Sequence, residues 1–306
     1  MKTNGPLFVI LGAALWGTDA LFRWPLTAVL SPVTIVLLEH CILSIAVLPL
    51  VIIFRRQFLI LRRGDYLALA VIALGGSVLA TVLFTYSVKH GNPSVVILLQ
   101  KTQPLFTILL ARLALSERPR GWFWPWAAVA VAGAVLMSTP DRQPDRAAVS
   151  TPAAAVFGAV AAAALWGGAT VCGRYIVTRV PVRFLTSLRF LLALPALAIL
   201  YRLQPAVQRE LPSGLPPVAS IAAMAMVPGL AALLLYYKGL QSTPASLASI
   251  CELSFPVTAV AVNWLLLDIR LSALQLFGSA VLVLSMTAMA FRNAREQGGS
   301  ARQSSP

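Results

Sequence analysis

Val9–Pro25 reads VILGAALWGTDALFRWP, and 150 positions later Ala159–Tyr175 reads AVAAAALWGGATVCGRY. Both are apolar runs with Leu-Trp-Gly at the same place and an arginine near the far end, Arg23 in one and Arg174 in the other. Further pairs follow in the same order. Pro32-Val33 matches Pro181-Val182, and His40 falls on Arg189. Tyr86, Pro93, Pro104 and Glu117 fall on Tyr237, Pro244, Pro256 and Asp268. Ordered matches over so long a stretch mark a tandem duplication. They also make the first apolar run part of the fold rather than a removable leader.

Working outward from these segments, apolar runs recur along the whole chain: Pro6–Phe22, Val33–Phe54, Tyr66–Val88, Ser94–Leu115, Trp122–Thr139, Ala153–Val177, Arg183–Tyr201, Ala219–Leu240, Ala245–Leu267 and Ser272–Phe291. Each approaches the ~20 residues that cross a hydrocarbon core of about 30 Å. With 58% hydrophobic and 11% charged residues and a mean hydropathy of +0.82, a soluble fold could not hide this much apolar surface. Five crossings per half is an odd number, so the second half must enter the membrane from the opposite side. The expected architecture is an all-α integral membrane protein, ten transmembrane helices arranged as two inverted five-helix repeats around a central cavity. Residues 1–139 form the first repeat, 140–152 (PDRQPDRAAVSTP) a polar linker, 153–292 the second repeat, and 293–306 a disordered cytoplasmic tail.

A net charge of +14 invites a nucleic-acid reading, but the cations sit between apolar runs instead of clustering on one stripe. Lys and Arg number twelve on the side of the termini against seven on the other. That bias places both termini in the cytoplasm and the protein in the inner (plasma) membrane. Cys41, Cys172 and Cys251 fit no zinc or disulfide spacing, and with two histidines no metal cluster or cofactor site is expected. Neither a phosphate-binding G-x-x-x-x-G-K-[ST] motif nor a nucleophile–base set occurs, so no enzyme activity is expected.

The Leu-Trp-Gly near the end of the first and sixth runs resembles the EamA branch of the drug/metabolite transporter superfamily. So do Gln100-Lys101-Thr102-Gln103-Pro104 and Leu115-Ser116-Glu117-Arg118. The resemblance covers residues 6–291 and implies ten helices, as five plus five, around a central cavity, in a family that includes exporters of amino acids and other metabolites. The sequence departs from that pattern at His40, where a basic residue is usual, and at Asp268, where Glu is usual.

Charged side chains inside hydrocarbon are costly and point to a cavity or a partner. Pro256 cannot donate to the carbonyl of Glu252, nor Pro104 to that of Gln100, so each half pairs a polar side chain with an orphan carbonyl at a bend. Substrate is expected between these bends, near Gln100, Lys101, Tyr86, Tyr237 and Glu252, with Trp16 and Trp166 as walls. The bland alternatives are a buried helix–helix hydrogen bond for Glu252 and snorkelling for Lys101. Coupling or gating candidates are Asp19 and Arg23, one helical turn apart, with the neighbours Glu39 and His40, and Arg189 at the place matching His40.

The function expected is secondary transport of a small metabolite, an amino acid or similar zwitterion, by alternating access, as an exporter and with proton coupling through Glu252 or His40. The alternatives are export of cationic drugs or other metabolites, and a membrane scaffold without flux. The partners expected are the small-molecule substrate and the lipid bilayer. The duplication allows a self-sufficient monomer and leaves a homodimer open.

Overall fold

The computed structural model describes residues 5–115, 121–138, 151–177, 180–240, 251, 254–269 and 271–303. Among them the secondary structure is entirely helical. The elements are α1 (Gly5–Val29, with a turn at Gly17-Thr18), α2 (Pro32–Ile53) and α3 (Arg63–His90). Then come α4 (Pro93–Gln100), α5 (Gln103–Leu115), α6 (Phe123–Ser138), α7 (Ala153–Val177) and α8 (Val182–Leu203). Next is α9 (Leu215–Tyr236), whose helical turns continue to Leu240. Last are α10 (Ser254–Leu267) and α11 (Ala273–Gln303). Six of the described helices are long and apolar enough to cross a bilayer: α1, α2, α3, α8, α9 and the Ala153–Gly173 part of α7. Large apolar side chains such as Ile45, Phe157 and Leu265 are exposed along these and the shorter helices, a surface suited to lipid. The protein is a multi-pass membrane protein.

Local sequence sets the helix boundaries. Ser31 caps α2, its hydroxyl accepting the Thr34 N–H at 3.1 Å, with Pro32 in the first turn. Asn92 caps α4 in the same way, accepting the Ser94 N–H at 2.9 Å, while its own N–H donates to Thr151 Oγ1 at 2.9 Å ahead of α7. The run expected over Ser94–Leu115 is two helices, because the N–H groups of Lys101 and Thr102 turn back to the carbonyls of Leu98 and Leu99 at 2.9 and 3.0 Å. Pro104 then stands at the second position of α5, where its missing N–H is harmless.

The last helix differs from expectation, because it runs to Gln303 instead of ending in a disordered tail after residue 292. Ala294, Arg295, Glu296 and Gln297 are good helix formers, and lengthening an existing helix avoids the cost of nucleating one. Of the expected linker at 140–152, only Thr151 and Pro152 lie within the described residues.

Two helices carry π-helical segments, Val71–Leu79 inside α3 and Ala225–Ala231 inside α9. Shifting the first by 151, the spacing that relates Tyr86 to Tyr237, carries it to residues 222–230, which overlap the second over residues 225–230. A π turn holds an additional residue and re-aims the side chains after it, and such turns recur at functional sites. Pro228 sits inside the second one.

Close backbone approach holds α1 to α9. A Cβ on Gly12 would stand 2.7 Å from the Ala232 carbonyl oxygen, and one on Gly239 2.7 Å from that of Gly5. Small residues permit this contact in a bilayer, where packing rather than hydrophobicity joins helices. Gly12→Leu is therefore expected to destabilise the fold by about 1–3 kcal/mol or more through overpacking. Gly121→Ala, where nothing lies within 4 Å of the added carbon, should be neutral. Thermal melting of the detergent-solubilised protein followed by tryptophan fluorescence checks both.

Candidate functional site

A cavity of about 620 Å³ lies among the helices, and all of them except α6 and α11 contribute to its wall. The size falls within the roughly 300–1,000 Å³ of small-molecule sites. One end is open: Gly173 has nothing within 4 Å of a Cβ, and Gln103 Nε2 donates to Thr170 Oγ1 at 3.3 Å through exposed atoms. That end adjoins the start of α8 at Val182, on the side where Gly5 meets Gly239. Towards the other side of the membrane, Leu26, Leu30, Ile35, Ile221 and Met224 pack into a buried apolar plug. Two polar contacts hold it shut: Ser31 Oγ donates to Gln204 Oε1 at 2.6 Å, and Thr34 Oγ1 to the Gln208 carbonyl at 3.3 Å.

The deep wall carries a buried ion cluster. Arg23 Nε and Nη2 grip the Asp19 carboxylate at 2.6 and 2.8 Å, a two-pronged pair one helical turn apart. The same Nη2 reaches Glu39 Oε2 on α2 at 3.0 Å, and Nη1 donates to Thr85 Oγ1 on α3 at 3.0 Å. One guanidinium thus serves two carboxylates and joins three helices. Arg23 is 3% exposed and Glu39 6%, so both are sheltered from bulk water while they line the cavity.

The facing wall is tied to the first π segment. Trp166 Nε1 donates to the Gly76 carbonyl at 2.8 Å, and Arg189 Nε to Ser77 Oγ at 3.0 Å. Aromatic rings fill much of the remainder. Trp16 lies against Tyr236 with centroids 4.8 Å apart, Phe84 against Trp166 at 5.5 Å, and Lys101 Nζ sits 4.2 Å above the Phe255 ring. His40 Nδ1 bonds the Val36 carbonyl at 2.9 Å and its ring meets Phe190 edge-on at 5.5 Å, leaving Nε2 buried without a partner.

Trp16, Gln100, Lys101 and Trp166 therefore line one cavity together with Asp19, Arg23, Glu39, His40 and Arg189. Tyr86 does not. It stacks on His90 at 4.4 Å and lines a separate pocket of about 320 Å³ beside Lys89 and Ser31. Neighbouring helical residues point about 100° apart, so Thr85, which faces Arg23, turns Tyr86 away. Glu252 and the side chain of Tyr237 lie outside the described residues. Sequence reasoning passed over Ser77, Phe84, Phe190, Tyr236 and Phe255, because an aromatic inside an apolar run reads the same whether it faces lipid or a cavity. The spacing of Trp166, Ala169, Thr170 and Gly173, one helical face of α7, was the available signal.

The model of the EamA-like transporter family matches residues 3–139 and again 153–291. The chain belongs to the EamA-like transporter family. It is a transporter of a small molecule, and not an enzyme. The curated relatives include a protein of Fusobacterium nucleatum subsp. nucleatum described as "Riboflavin transporter ImpX". That protein is 29% identical over 295 residues, covering 92% of this chain and 96% of its own. Among solved structures, one crystal structure covers 95% of this EamA-like chain and 99% of its own at a TM-score of 0.65. At 19% identity it bears on the fold alone.

Removing one partner of a buried ion cluster strands the others, at a cost of about 3–5 kcal/mol. Arg23→Met, which leaves Asp19 and Glu39 unpaired, is expected to lower the melting temperature sharply. The triple substitution Asp19→Asn, Arg23→Met, Glu39→Gln should recover most of the loss. Melting of the purified protein in detergent compares the two.

Proposed function

We propose that the chain is a ten-span secondary transporter of the inner membrane, with both termini in the cytoplasm, that moves a planar heteroaromatic metabolite by alternating access. The observation that carries the substrate class is the lining. Trp16, Phe84, Trp166, Phe190, Tyr236 and Phe255 surround about 620 Å³, room for a fused ring system to stack. Among the cations of the wall, Arg23 is offset by Asp19 and Glu39, whereas Arg189 is steered by the neutral Ser77 hydroxyl and Lys101 lies over the Phe255 ring, so both suit polar or anionic groups carried by such a ring system. The relative described as a riboflavin transporter makes a flavin the first solute to try.

The two separate family matches and the paired π segments favour an inverted five-plus-five repeat. The open end lies on the side of the N-terminus, where an exporter loads its solute. Because one chain encloses the cavity, the monomer is the transporting unit. A second reading, an amino acid or similar zwitterion, draws on the presence of both Glu39 and Lys101 in the same wall.

Proteoliposomes test the reading with labelled riboflavin and an amino-acid panel, in both directions. Saturable riboflavin flux is expected. Trp16→Ala should raise KM roughly five- to hundredfold, the equivalent of one lost stacking wall at about 1–3 kcal/mol. Saturable flux of an amino acid with none of riboflavin supports the second reading. Flux that does not saturate indicates a channel, and no flux of any solute overturns the transporter assignment.

A further inference from the structure

We propose that Glu39 is the proton-carrying site through which solute movement is coupled to a proton gradient. The inference rests on the transporter reading above and adds the ion and the residue that binds it.

The charge count of the cluster comes first. Asp19 has both carboxylate oxygens on Arg23, at 2.6 and 2.8 Å, whereas Glu39 has one, Oε2, at 3.0 Å. A single guanidinium balances one of the two carboxylates, so the triad by itself carries one net negative charge, with Arg189 and Lys101 in the same cavity wall. Of the two, Glu39 is the more weakly held and the more easily detached. Taking up one proton turns its carboxylate into a neutral acid and leaves Asp19–Arg23 as a balanced pair. Releasing that proton restores the triad. Every atom and charge is accounted for, with no ion other than H⁺.

The surroundings fit that exchange. Packed against α2, α1 faces Glu39 with Asp19 and Arg23, and α8 brings Arg189 to the same cavity wall. From α3 the facing group is Thr85, while Lys89 and His90 lie at the far end of that helix, in the smaller pocket. Leu215–Ala231 of α9 carries no titratable side chain. On α2 itself the neighbour is His40, 3% exposed, whose Nε2 has no partner. A buried polar atom without a partner is rare in a folded protein, and this one belongs to a residue lining the same cavity as Glu39.

Access is also one-sided. Glu39 shares the cavity with Gly173 and Val182 at the open end, and Leu26, Leu30, Ile35, Ile221 and Met224 seal it from the opposite side. A proton bound in this state comes from, or returns to, the side of the termini. Reversing the access of the cavity exchanges it with the other side.

Two measurements test the proposal. In proteoliposomes, wild type should accumulate riboflavin several-fold more under a pH gradient of one polarity than without it. Glu39→Gln should lose the response to the gradient when its uptake is scaled to its own equal-pH exchange of labelled for unlabelled riboflavin, and Glu39→Asp should retain the response. Gradient-driven accumulation by Glu39→Gln, or wild-type uptake indifferent to the gradient, overturns the assignment. Infrared difference spectroscopy of the purified protein needs no solute. On acid titration the carbonyl band of a neutral carboxylic acid should grow in wild type and be lost in Glu39→Gln, and an identical band in both overturns the assignment. If wild type exchanges no riboflavin, the substrate reading fails by itself and the infrared titration decides Glu39.

Discussion

The guanidinium of Arg23 is the interaction on which the centre of the molecule depends. Hydrocarbon does not tolerate bare charges, so Asp19, Arg23 and Glu39 can occupy their places only while they hold one another. Because the three come from α1 and α2, with Thr85 added from α3, satisfying them fixes how those helices stand around the cavity. The apolar plug and the latches at Ser31 and Thr34 lie beyond this knot, on the same side of the membrane. Electrostatic necessity and the closed end of the pathway are thus built from neighbouring turns of the same helices.

The opposite wall is fixed by a different kind of bond. Trp166 and Arg189 fasten α7 and α8 to the π segment of α3, at Gly76 and Ser77. The repeat-related places are not equivalent in chemistry. Trp16 meets the ring of Tyr236 where Trp166 meets a carbonyl, and His40 stands where the second half has an arginine. A 151-residue shift carries Ser77 to Pro228, which has no hydroxyl to offer, and His40 Nε2 is left without a partner. Duplication supplied similar backbones, and the side chains have since diverged.

Much of the architecture was legible from apolar runs, because a bilayer imposes length and composition on anything that crosses it. The Asp19–Arg23 pair was legible too, since i and i+4 on a helix fix two side chains on one face. Glu39 as their third member was not, because that contact depends on how α1 and α2 cross. The tyrosine match misled for a related reason: repeat symmetry equates Tyr86 with Tyr237 but does not say which face of α3 the π turn presents. The helical tail was misjudged from its polarity, where the helix already running into it mattered more.

The π turn of α3 has a consequence for which changes in chain length the protein can survive. Nine residues, Val71–Leu79, make the wide segment, and Thr81, Phe84 and Thr85 follow it. Relaxing the segment into ordinary α-helix with all nine residues kept would turn everything downstream by about 100°. Thr85 would swing off Arg23 and Phe84 off the cavity, although no residue of the site had been touched. Dropping one residue at the same time cancels that turn, so a single codon-length deletion inside this segment leaves the wall aimed as it is, whereas the same deletion in an ordinary α-helical stretch would re-aim it.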